Sequence, residues 1–306
     1  MACLVTAIVP VYNAADTVRA ALDSVAAQTV REIEIIVVDD CSTDATAATA
    51  GAALEALGWK SGRVIKMPHN RGPAAARNAG IRVAQAEWIA FLDGDDAWVP
   101  WRLAEQFAAL EHHRDAALLC GEVALIGSTS LGPPHVVGAA PATLVPLEDF
   151  VDANPVPTST VLARRTVLEA VGGFDEQFRG PEDIDLWMRV AAAGKIVKIN
   201  LPLALYREQP GSLSMNAERF LPEILRVYDK AFAAGGALYP FRRWKRRAVA
   251  GRYVSAAWTL LMCGQRARAM GWLLRSWLLW PGRLRIEQNR PLWRLLMLGK
   301  IALNLK

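Results

Sequence analysis

Short apolar segments alternate with helical ones along residues 1–100, and this alternation restricts the folds that the chain can adopt. Segments rich in β-branched and aromatic residues predict four strands, at 4–9, 33–38, 63–67 and 88–92. Between the first two, Val18, Leu22 and Val25 share one helical stripe, and Pro73 suits the first turn of a later helix. Strand–helix–strand units of this spacing predict an α/β fold, with a mostly parallel sheet flanked by helices.

Polar clusters follow three of these predicted strands, at residues 10–13, 39–42 and 93–96. Because ligands bind beyond the carboxyl ends of parallel strands, we expect the three clusters to converge on one edge of the sheet. Capping of the following helices explains any single cluster equally well. Three clusters at equivalent strand ends favour a binding site.

The cluster with the clearest chemistry is Asp93-Gly94-Asp95. Two carboxylates that follow an apolar strand can face a divalent cation and a diphosphate, since Mg²⁺ and Mn²⁺ prefer oxygen ligands and keep positions open for phosphate. Such a pair is common by chance, and its place after a strand gives it weight. No GxGxxG follows the first strand and neither GxxxxGKS nor GxxxxGKT occurs, which disfavours a dinucleotide site and a P-loop.

Charge and aromatic content divide the chain. Residues 240–306 hold 15 lysines and arginines, one acidic residue and six of the 11 tryptophans, for a net charge of +14, whereas the rest of the chain carries −9. With the border at Gly235-Gly236, we expect one domain over residues 1–235 and a helical extension over residues 236–306. The four cysteines are far apart, which is typical of a reducing compartment.

The basic extension predicts a surface role. Helices rich in arginine and tryptophan suit an anionic membrane interface, and no window of about 18 residues is free of charge, so a membrane-spanning helix is not expected. Packing on the first domain or contacts in a homo-oligomer are the alternative uses. Nucleic acid is not an expected partner, because the basic residues belong to no recognised nucleic-acid module.

Six motifs occur in order over residues 3–215 and together resemble glycosyltransferase family 2. They are IVPVYN (8–13), VVDDCSTDAT (37–46), NRGPAAARNAG (70–80), FLDGDDAW (91–98), GGFDE (172–176) and PEDIDLW (181–187). The resemblance implies the nucleotide-diphospho-sugar transferase fold called GT-A. It also implies an inverting, non-processive transfer of a hexosyl-type sugar that is assisted by Mg²⁺ or Mn²⁺. The acceptor would be a glycan or a lipid-linked saccharide, as in cell-surface polysaccharide synthesis. Such an enzyme would work in the cytoplasm, at the inner face of the cell membrane.

The resemblance assigns the nucleotide to the first two clusters. The backbone at Pro10 and the ring of Tyr12 would pack on the base, and Asp40 would accept a hydrogen bond from it, with Asp39 as the alternative. Uracil fits this pattern because its N3–H is a donor that a carboxylate accepts, so a UDP-sugar is the expected donor. Asp93 would meet the ribose or the sugar.

The same resemblance assigns the metal and the base. Asp95 would ligate the metal, and Asp183 would take the proton from the attacking hydroxyl, as inversion by direct displacement requires. Taken alone, the acids of this segment also predict a solvated first helical turn that suits the helix dipole. Glu182 and Trp187 would contact the acceptor, although core packing is an equally good interpretation of Trp187.

Three further features have more than one interpretation. Arg71 and Arg77 face either the diphosphate or solvent, and residues 157–160 form either a plain turn or part of the acceptor cleft. Gln209 stands where the family often has a histidine, which leaves part of the metal shell in doubt because glutamine is a poorer metal ligand.

Two other functions compete with sugar transfer. A nucleotidyltransferase also uses a nucleotide site and acidic metal ligands, but the chain lacks a basic glycine-rich loop near its start. A non-catalytic sugar-binding scaffold would keep the fold and lose the acids, whereas Asp93, Asp95 and Asp183 are all present.

Overall fold

The computed structural model describes residues 3–126, 137–207, 216–284 and 293–302 of the 306-residue chain. The backbone divides into two compact units. One unit comprises Met1–Pro146 with Pro155–Glu208, and the other comprises Leu147–Asn154 with Gln209–Lys306.

Nine strands form one mixed sheet within the described part of the first unit. They are β1 (Val5–Val11), β2 (Ile33–Asp39), β3 (Gly62–Lys66), β4 (Trp88–Phe91), β5 (Ala97–Trp98), β6 (Ala116–Leu125), β7 (Ala142–Val145), β8 (Leu162–Arg164) and β9 (Lys195–Tyr206). Their order is β3-β2-β1-β4-β8-β6-β9-β5, with β7 also paired to β9. The four strands predicted from the sequence lie side by side in parallel. Beyond them the sheet becomes mixed, because β8 runs antiparallel to both β4 and β6.

Helices accompany these strands. They are α1 (Val18–Ala26), α2 (Thr46–Ala56), α3 (Pro73–Val83), α4 (Arg102–His112), α5 (Arg165–Ala170) and α6 (Glu182–Ala193), and a 3₁₀ turn at Thr158–Thr160 is called the TST turn below. Helix α1 buries Val18, Leu22 and Val25, the stripe that the sequence predicts. Every residue of β1 and β2 is buried, as expected for strands that are covered on both faces.

The second unit is helical. Its helices are α7 (Ala217–Phe232), α8 (Lys245–Met262), α9 (Arg266–Leu279) and α10 (Trp293–Ala302), with 3₁₀ segments at Leu147–Val151 and Tyr239–Trp244. Helix α7 packs on α8, and α8 packs on α9. The Tyr228 hydroxyl donates to the Phe150 carbonyl over 2.7 Å, and Arg247 pairs with Asp152 at 2.8 Å, so the segment 147–154 is bound to these helices. Among the described residues, no helix is long and apolar enough to cross a membrane.

The second unit begins upstream of the border that the charge pattern indicates. The two packed units divide after residue 208, whereas the chain becomes strongly basic only beyond Gly235 and Gly236. Helix α7 accounts for the difference, because it carries mixed charges but buries its apolar face in the second unit. Composition therefore marks where the basic helices start, while packing sets the border of the unit.

Candidate active site

The loops that follow β1 and β2 are joined by hydrogen bonds at the carboxyl edge of the sheet. The Asn13 N–H donates to the Ser42 hydroxyl over 2.9 Å, and the Thr43 N–H donates to Asn13 Oδ1 over 2.9 Å. Asn13 and Cys41 both have positive φ angles, of 48° and 62°, which asparagine tolerates better than most residues. The first two polar clusters thus form one surface.

Two residues of the first cluster have different environments. Pro10 is buried within β1, whereas the Tyr12 side chain is 50% exposed just beyond the strand. An exposed aromatic ring is able to stack on a nucleobase. Tyr12 therefore offers a surface for a ligand, and Pro10 contributes only backbone.

The two acids at the end of β2 have separate tasks. Asp40 accepts the backbone N–H groups of Arg71 over 2.8 Å and Gly72 over 2.7 Å, one on each carboxylate oxygen. It therefore closes the loop that leads into α3. Asp39 accepts from the Ser42 N–H and hydroxyl through Oδ1. No described residue donates a hydrogen bond to Asp39 Oδ2, which leaves that oxygen available to a donor.

Gly94 fits the space between the two acids of the third cluster because it has no side chain. A Cβ at this position would lie 2.6 Å from Val11 Cγ1 and 3.2 Å from the Pro10 carbonyl oxygen. The Thr17 hydroxyl donates to the Gly94 carbonyl over 2.8 Å. The loop is thereby seated directly against the end of β1.

Negative charge is concentrated in this loop. Burial and the charge of Asp93 raise the pKa of Asp95, and the same two causes raise the pKa of Asp96 to about 7. Asp96 is held by the Ser159 hydroxyl over 2.6 Å and by the Arg207 N–H over 3.1 Å. The raised pKa values indicate acids whose charge the protein compensates only in part.

A divalent cation that arrives with a diphosphate fits these donors. Among the residues that the structure describes, no group of three or more His, Cys, Asp or Glu side chains forms a metal site by itself. Magnesium and manganese bound to diphosphates need only one or two carboxylates, since phosphate oxygens and water supply the rest. Asp95, with Asp93 beside it, meets that requirement, and a cation would relieve their repulsion. Gln209 lies outside the described residues.

Arg77 joins this loop to α6 from a buried position. Its Nη2 donates to Asp93 Oδ1 over 2.7 Å, its Nη1 donates to Glu182 Oε1 over 2.8 Å, and its guanidinium lies 5.3 Å from the centre of the Phe174 ring. Burial disfavours the charge, but the two ion pairs outweigh burial and raise the pKa of Arg77. The side chain is thus buried, and the interpretation that it faces solvent is wrong. Arg71 is exposed and pairs with Glu176 at 2.5 Å.

The two residues expected to contact the acceptor are buried. Glu182 is 2% exposed, and its second carboxylate oxygen accepts the Gly180 N–H over 2.7 Å. Trp187 is 0% exposed and packs against the rings of Phe91 and Phe174. Of the two interpretations of Trp187, core packing is the one found. Neither side chain presents a surface to an acceptor in this structure.

Asp183 lies on the first turn of α6 and remains partly exposed. Its Oδ2 accepts the Thr158 hydroxyl over 3.0 Å, and its Oδ1 accepts the Ile184 N–H over 2.7 Å. Burial and the charge of Glu182 raise the pKa of Asp183 to about 7, against the opposing effects of Arg77 and Thr158. A carboxylate with this pKa is suited to accept a proton near neutral pH.

The sequence suggests residues 157–160 only as a plain turn or part of the acceptor cleft, and it does not reveal which residues contact the acids of the site. Thr158 and Ser159 contact the acids from the TST turn, and the Arg207 Nε donates to the Asp95 carbonyl over 3.0 Å. Each reaches a carboxylate or carbonyl far away in the chain, so no local pattern marks it. The available signal was weak, namely hydroxyl residues directly before an apolar strand.

Comparison with known proteins identifies relatives of the whole chain. The model of Glycosyl transferase family 2 matches residues 6–169, and that of Glycosyltransferase like family 2 matches residues 137–255. Succinoglycan biosynthesis protein ExoO of Rhizobium meliloti is 30% identical over 92% of this chain and 83% of its own length. The Escherichia coli UDP-Glc:alpha-D-GlcNAc-diphosphoundecaprenol beta-1,3-glucosyltransferase WfaP is 30% identical over 70% of this chain and 80% of its own.

Two solved structures share the fold. S. aureus TarS 1–349 in complex with UDP-GlcNAc aligns with a TM-score of 0.64 at 20% identity, covering 99% of this chain and 89% of that one. The mannosyltransferase PcManGT from Pyrobaculum calidifontis, in complex with GDP-Man and Mn²⁺, gives 0.65 at 22% identity over 100% and 82%. The predicted fold is confirmed: a GT-A-like mixed α/β sheet with flanking helices, followed by a helical C-terminal region.

Proposed function

The chain belongs to glycosyltransferase family 2, and we propose that it transfers a hexose from a UDP-sugar, with inversion, to a hydroxyl of a lipid-linked saccharide or glycan. The two ion pairs of Arg77 support this proposal most. They join the Asp93 loop to the helix that carries Asp183. The proposed diphosphate site and the helix of the proposed base would thereby be linked through one buried arginine.

The nucleotide would bind the surface formed by the first two clusters. Tyr12 would stack on the base, above the backbone at Pro10. Asp39 is the better acceptor for uracil N3–H, because Oδ2 of Asp39 receives no hydrogen bond from the described residues while both oxygens of Asp40 hold the backbone. Asp40 would then act indirectly, by fixing the loop before α3. The UDP-GlcNAc in the TarS complex and the UDP-Glc in the name of WfaP support uridine as the nucleoside.

Asp183 would perform the proton transfer. The acceptor hydroxyl oxygen forms a bond to the anomeric carbon, the bond from that carbon to the diphosphate breaks, and the hydroxyl proton ends on the Asp183 carboxylate. A Mg²⁺ or Mn²⁺ ion held by Asp95 and Asp93 would supply positive charge next to the leaving diphosphate. Arg77 keeps Asp93 in place from the interior.

The acceptor is proposed from the relatives. WfaP is named for a diphosphoundecaprenol-linked acceptor, and ExoO is named for the biosynthesis of succinoglycan, which supports a role in cell-surface polysaccharide synthesis. A donor panel of UDP-Glc, UDP-Gal, UDP-GlcNAc and GDP-Man with Mn²⁺, assayed on diphosphoundecaprenol saccharides, tests the proposal. Nucleotide binding without turnover of any donor would favour a scaffold, and pyrophosphate release from a nucleoside triphosphate would favour a nucleotidyltransferase.

The metal assignment predicts the behaviour of Asp95→Asn. We expect the Mn²⁺ concentration for half-maximal turnover to rise about 10–100-fold or more, since changes around metal ligands already have effects of that size. Asp23→Asn is the control, because Asp23 is an exposed carboxylate that pairs with Arg19 of its own helix. A variant at Asp95 with the metal requirement of the wild type would remove this residue from the metal site.

The second unit would hold the enzyme against an anionic membrane. Leu274 and Leu278 lie one turn apart on α9 and are 51% and 83% exposed, with Arg275 on the same exposed side. Exposed leucines beside arginines, in a region of net charge +14, match the chemistry of an anionic lipid surface. A lipid-linked acceptor would be met at that surface.

The double variant Leu274→Ser with Leu278→Ser is therefore expected to bind anionic phosphatidylglycerol vesicles about tenfold or more weakly, because two leucines lose their burial in lipid. Vesicle sedimentation measures this. Leu144→Ser is the matched control, since Leu144 is 58% exposed but belongs to β7 of the first unit. Equal binding of the double variant and the wild type would refute the membrane contact, and a change in oligomeric mass would favour a homo-oligomer instead.

A further inference from the structure

The TST turn contacts both the proposed base, Asp183, and the carboxylate loop at residues 93–96. The Thr158 hydroxyl donates to Asp183 Oδ2 over 3.0 Å. The neighbouring Ser159 hydroxyl accepts the Asp93 N–H over 3.2 Å and donates to Asp96 Oδ2 over 2.6 Å. Two consecutive residues therefore hold the proposed base and the carboxylate loop, which a plain connecting turn would not do.

The hydrogen bonds at Thr158 have a fixed direction. Trp187 Nε1 lies 3.4 Å from the Thr158 hydroxyl oxygen, and an indole N–H is a donor only. The hydroxyl accepts that hydrogen bond, so its single hydrogen is directed to Asp183. The indole cannot turn away easily, because it is buried against the rings of Phe91 and Phe174.

We propose that Trp187 and Thr158 form a hydrogen-bond relay that orients the carboxylate of Asp183 for proton transfer. The relay occupies Oδ2, while the Ile184 N–H occupies Oδ1, so both oxygens are held. Each carboxylate oxygen has a further lone pair that can take a proton. Both relay residues are positioning residues, and the inference rests on the proposed role of Asp183 as the base.

The relay also favours the ionised base. Among the described residues, charged groups that face Asp183 include Glu182 on its own helix, which opposes ionisation, and Arg77 on α3, which favours it. The hydrogen bond from Thr158 favours the ionised form as well, against burial. Without the hydroxyl, Asp183 would be protonated in a larger share of molecules at neutral pH.

Thr158→Val tests the relay, because valine keeps the shape of threonine and removes the hydroxyl. We expect kcat at neutral pH to fall about 3–10-fold and the acid limb of the pH–rate profile to move up by about half to one pH unit, the size of one lost hydrogen bond. Thr158→Ser keeps a hydroxyl, so its kcat and the position of its acid limb should both stay close to those of the wild type. Trp187→Phe keeps an aromatic ring, loses the N–H, and should move the limb in the same direction by less.

The titration of the Asp183 side-chain carboxyl carbon by NMR, assigned with Asp183→Asn, provides a readout that needs no substrate. If Thr158→Val folds and the Asp183 carboxyl titrates as in the wild type, the relay is overturned. A lower kcat without a shift of the acid limb would also overturn it, because that result indicates a structural role only. If Thr158→Val does not fold, the titrations of Thr158→Ser and Trp187→Phe decide. If the wild type transfers no sugar, the proposed function fails, while the titration still judges the relay.

Discussion

Asp183→Asn is expected to lower the kcat of sugar transfer about 10²–10⁴-fold, the contribution typical of a positioned general base. Asparagine has nearly the shape of aspartate, but its single amide oxygen can accept either the Thr158 hydroxyl or the Ile184 N–H and not both. It cannot take a proton from the acceptor. Because Asp183 is not assigned to the nucleotide surface, the affinity for the UDP-sugar should change little.

The same variant should lose less stability than the wild type as the pH rises to 8. Burial raises the pKa of Asp183 to about 7 in the folded protein, above the ordinary value of 3.8, so ionisation of this group opposes folding. Asp183 makes its full contribution to the free energy of unfolding below about pH 4, and this contribution is lost as the pH rises through 7. The Tm of the variant relative to that of the wild type should therefore rise over that range by at least about 2 °C.

Rate and stability together identify the base. The wild-type rate should rise through about pH 7 and then level off, because the base must be ionised. Asp23→Asn should alter neither kcat nor Tm by much, since Asp23 is exposed. If Asp183→Asn keeps more than about a tenth of the wild-type kcat, another group is the base.

The first half of the sheet is predictable from the sequence, and the second half is not. Strands β1 to β4 contain many β-branched and aromatic residues and lie between turns, so local composition reveals them, and their parallel direction follows from the helices between them. Strand β8 has three residues, Leu162–Arg164, and it pairs with segments more than 40 residues away. A strand this short has no measurable period, so only tertiary pairing reveals it.

The same limit applies to the site. The convergence of the loops after β1 and β2 follows from a rule about parallel strands, and the structure shows those loops joined. The assignment of Asp183 came from the family resemblance, because three acids at the start of a helix also suit the helix dipole. The solvent-facing interpretation of Arg77 is wrong because its burial depends on Glu182, 105 residues later. Sequence reasoning treats an arginine as solvent-facing unless a partner is known.

Arg77→Met is expected to reduce the free energy of unfolding by about 3–5 kcal/mol, the cost of leaving buried partners of an ion pair without a countercharge. Arg77 is 7% exposed at its side chain, and Glu182, one of its partners, is 3% exposed. Methionine fills much of the same volume, so lost charge and hydrogen bonds dominate the effect. Thermal unfolding should show a fall in Tm of about 6–20 °C.

Arg71→Met is the matched control. Arg71 also pairs with a glutamate, Glu176, at 2.5 Å, but its side chain is 58% exposed. Exposed pairs contribute about 0–1 kcal/mol, so this variant should remain close to the wild type. Equal destabilisation by the two substitutions would show that the burial of Arg77 does not matter.

The double variant Arg77→Met with Glu182→Gln separates the charge from the packing. If an unpaired Glu182 causes the loss, removing its charge should recover part of the stability, and the two effects will not add. Lowering the pH should narrow the difference in the free energy of unfolding between Arg77→Met and the wild type, because protonation neutralises the carboxylates that lost their partner. Arg77 also favours ionisation of Asp183, so its loss should move the acid limb of the rate to higher pH. Stability and pH profile would then change through one side chain that touches neither substrate, which is the behaviour expected of a buried charge that holds the donor loop and the base helix together.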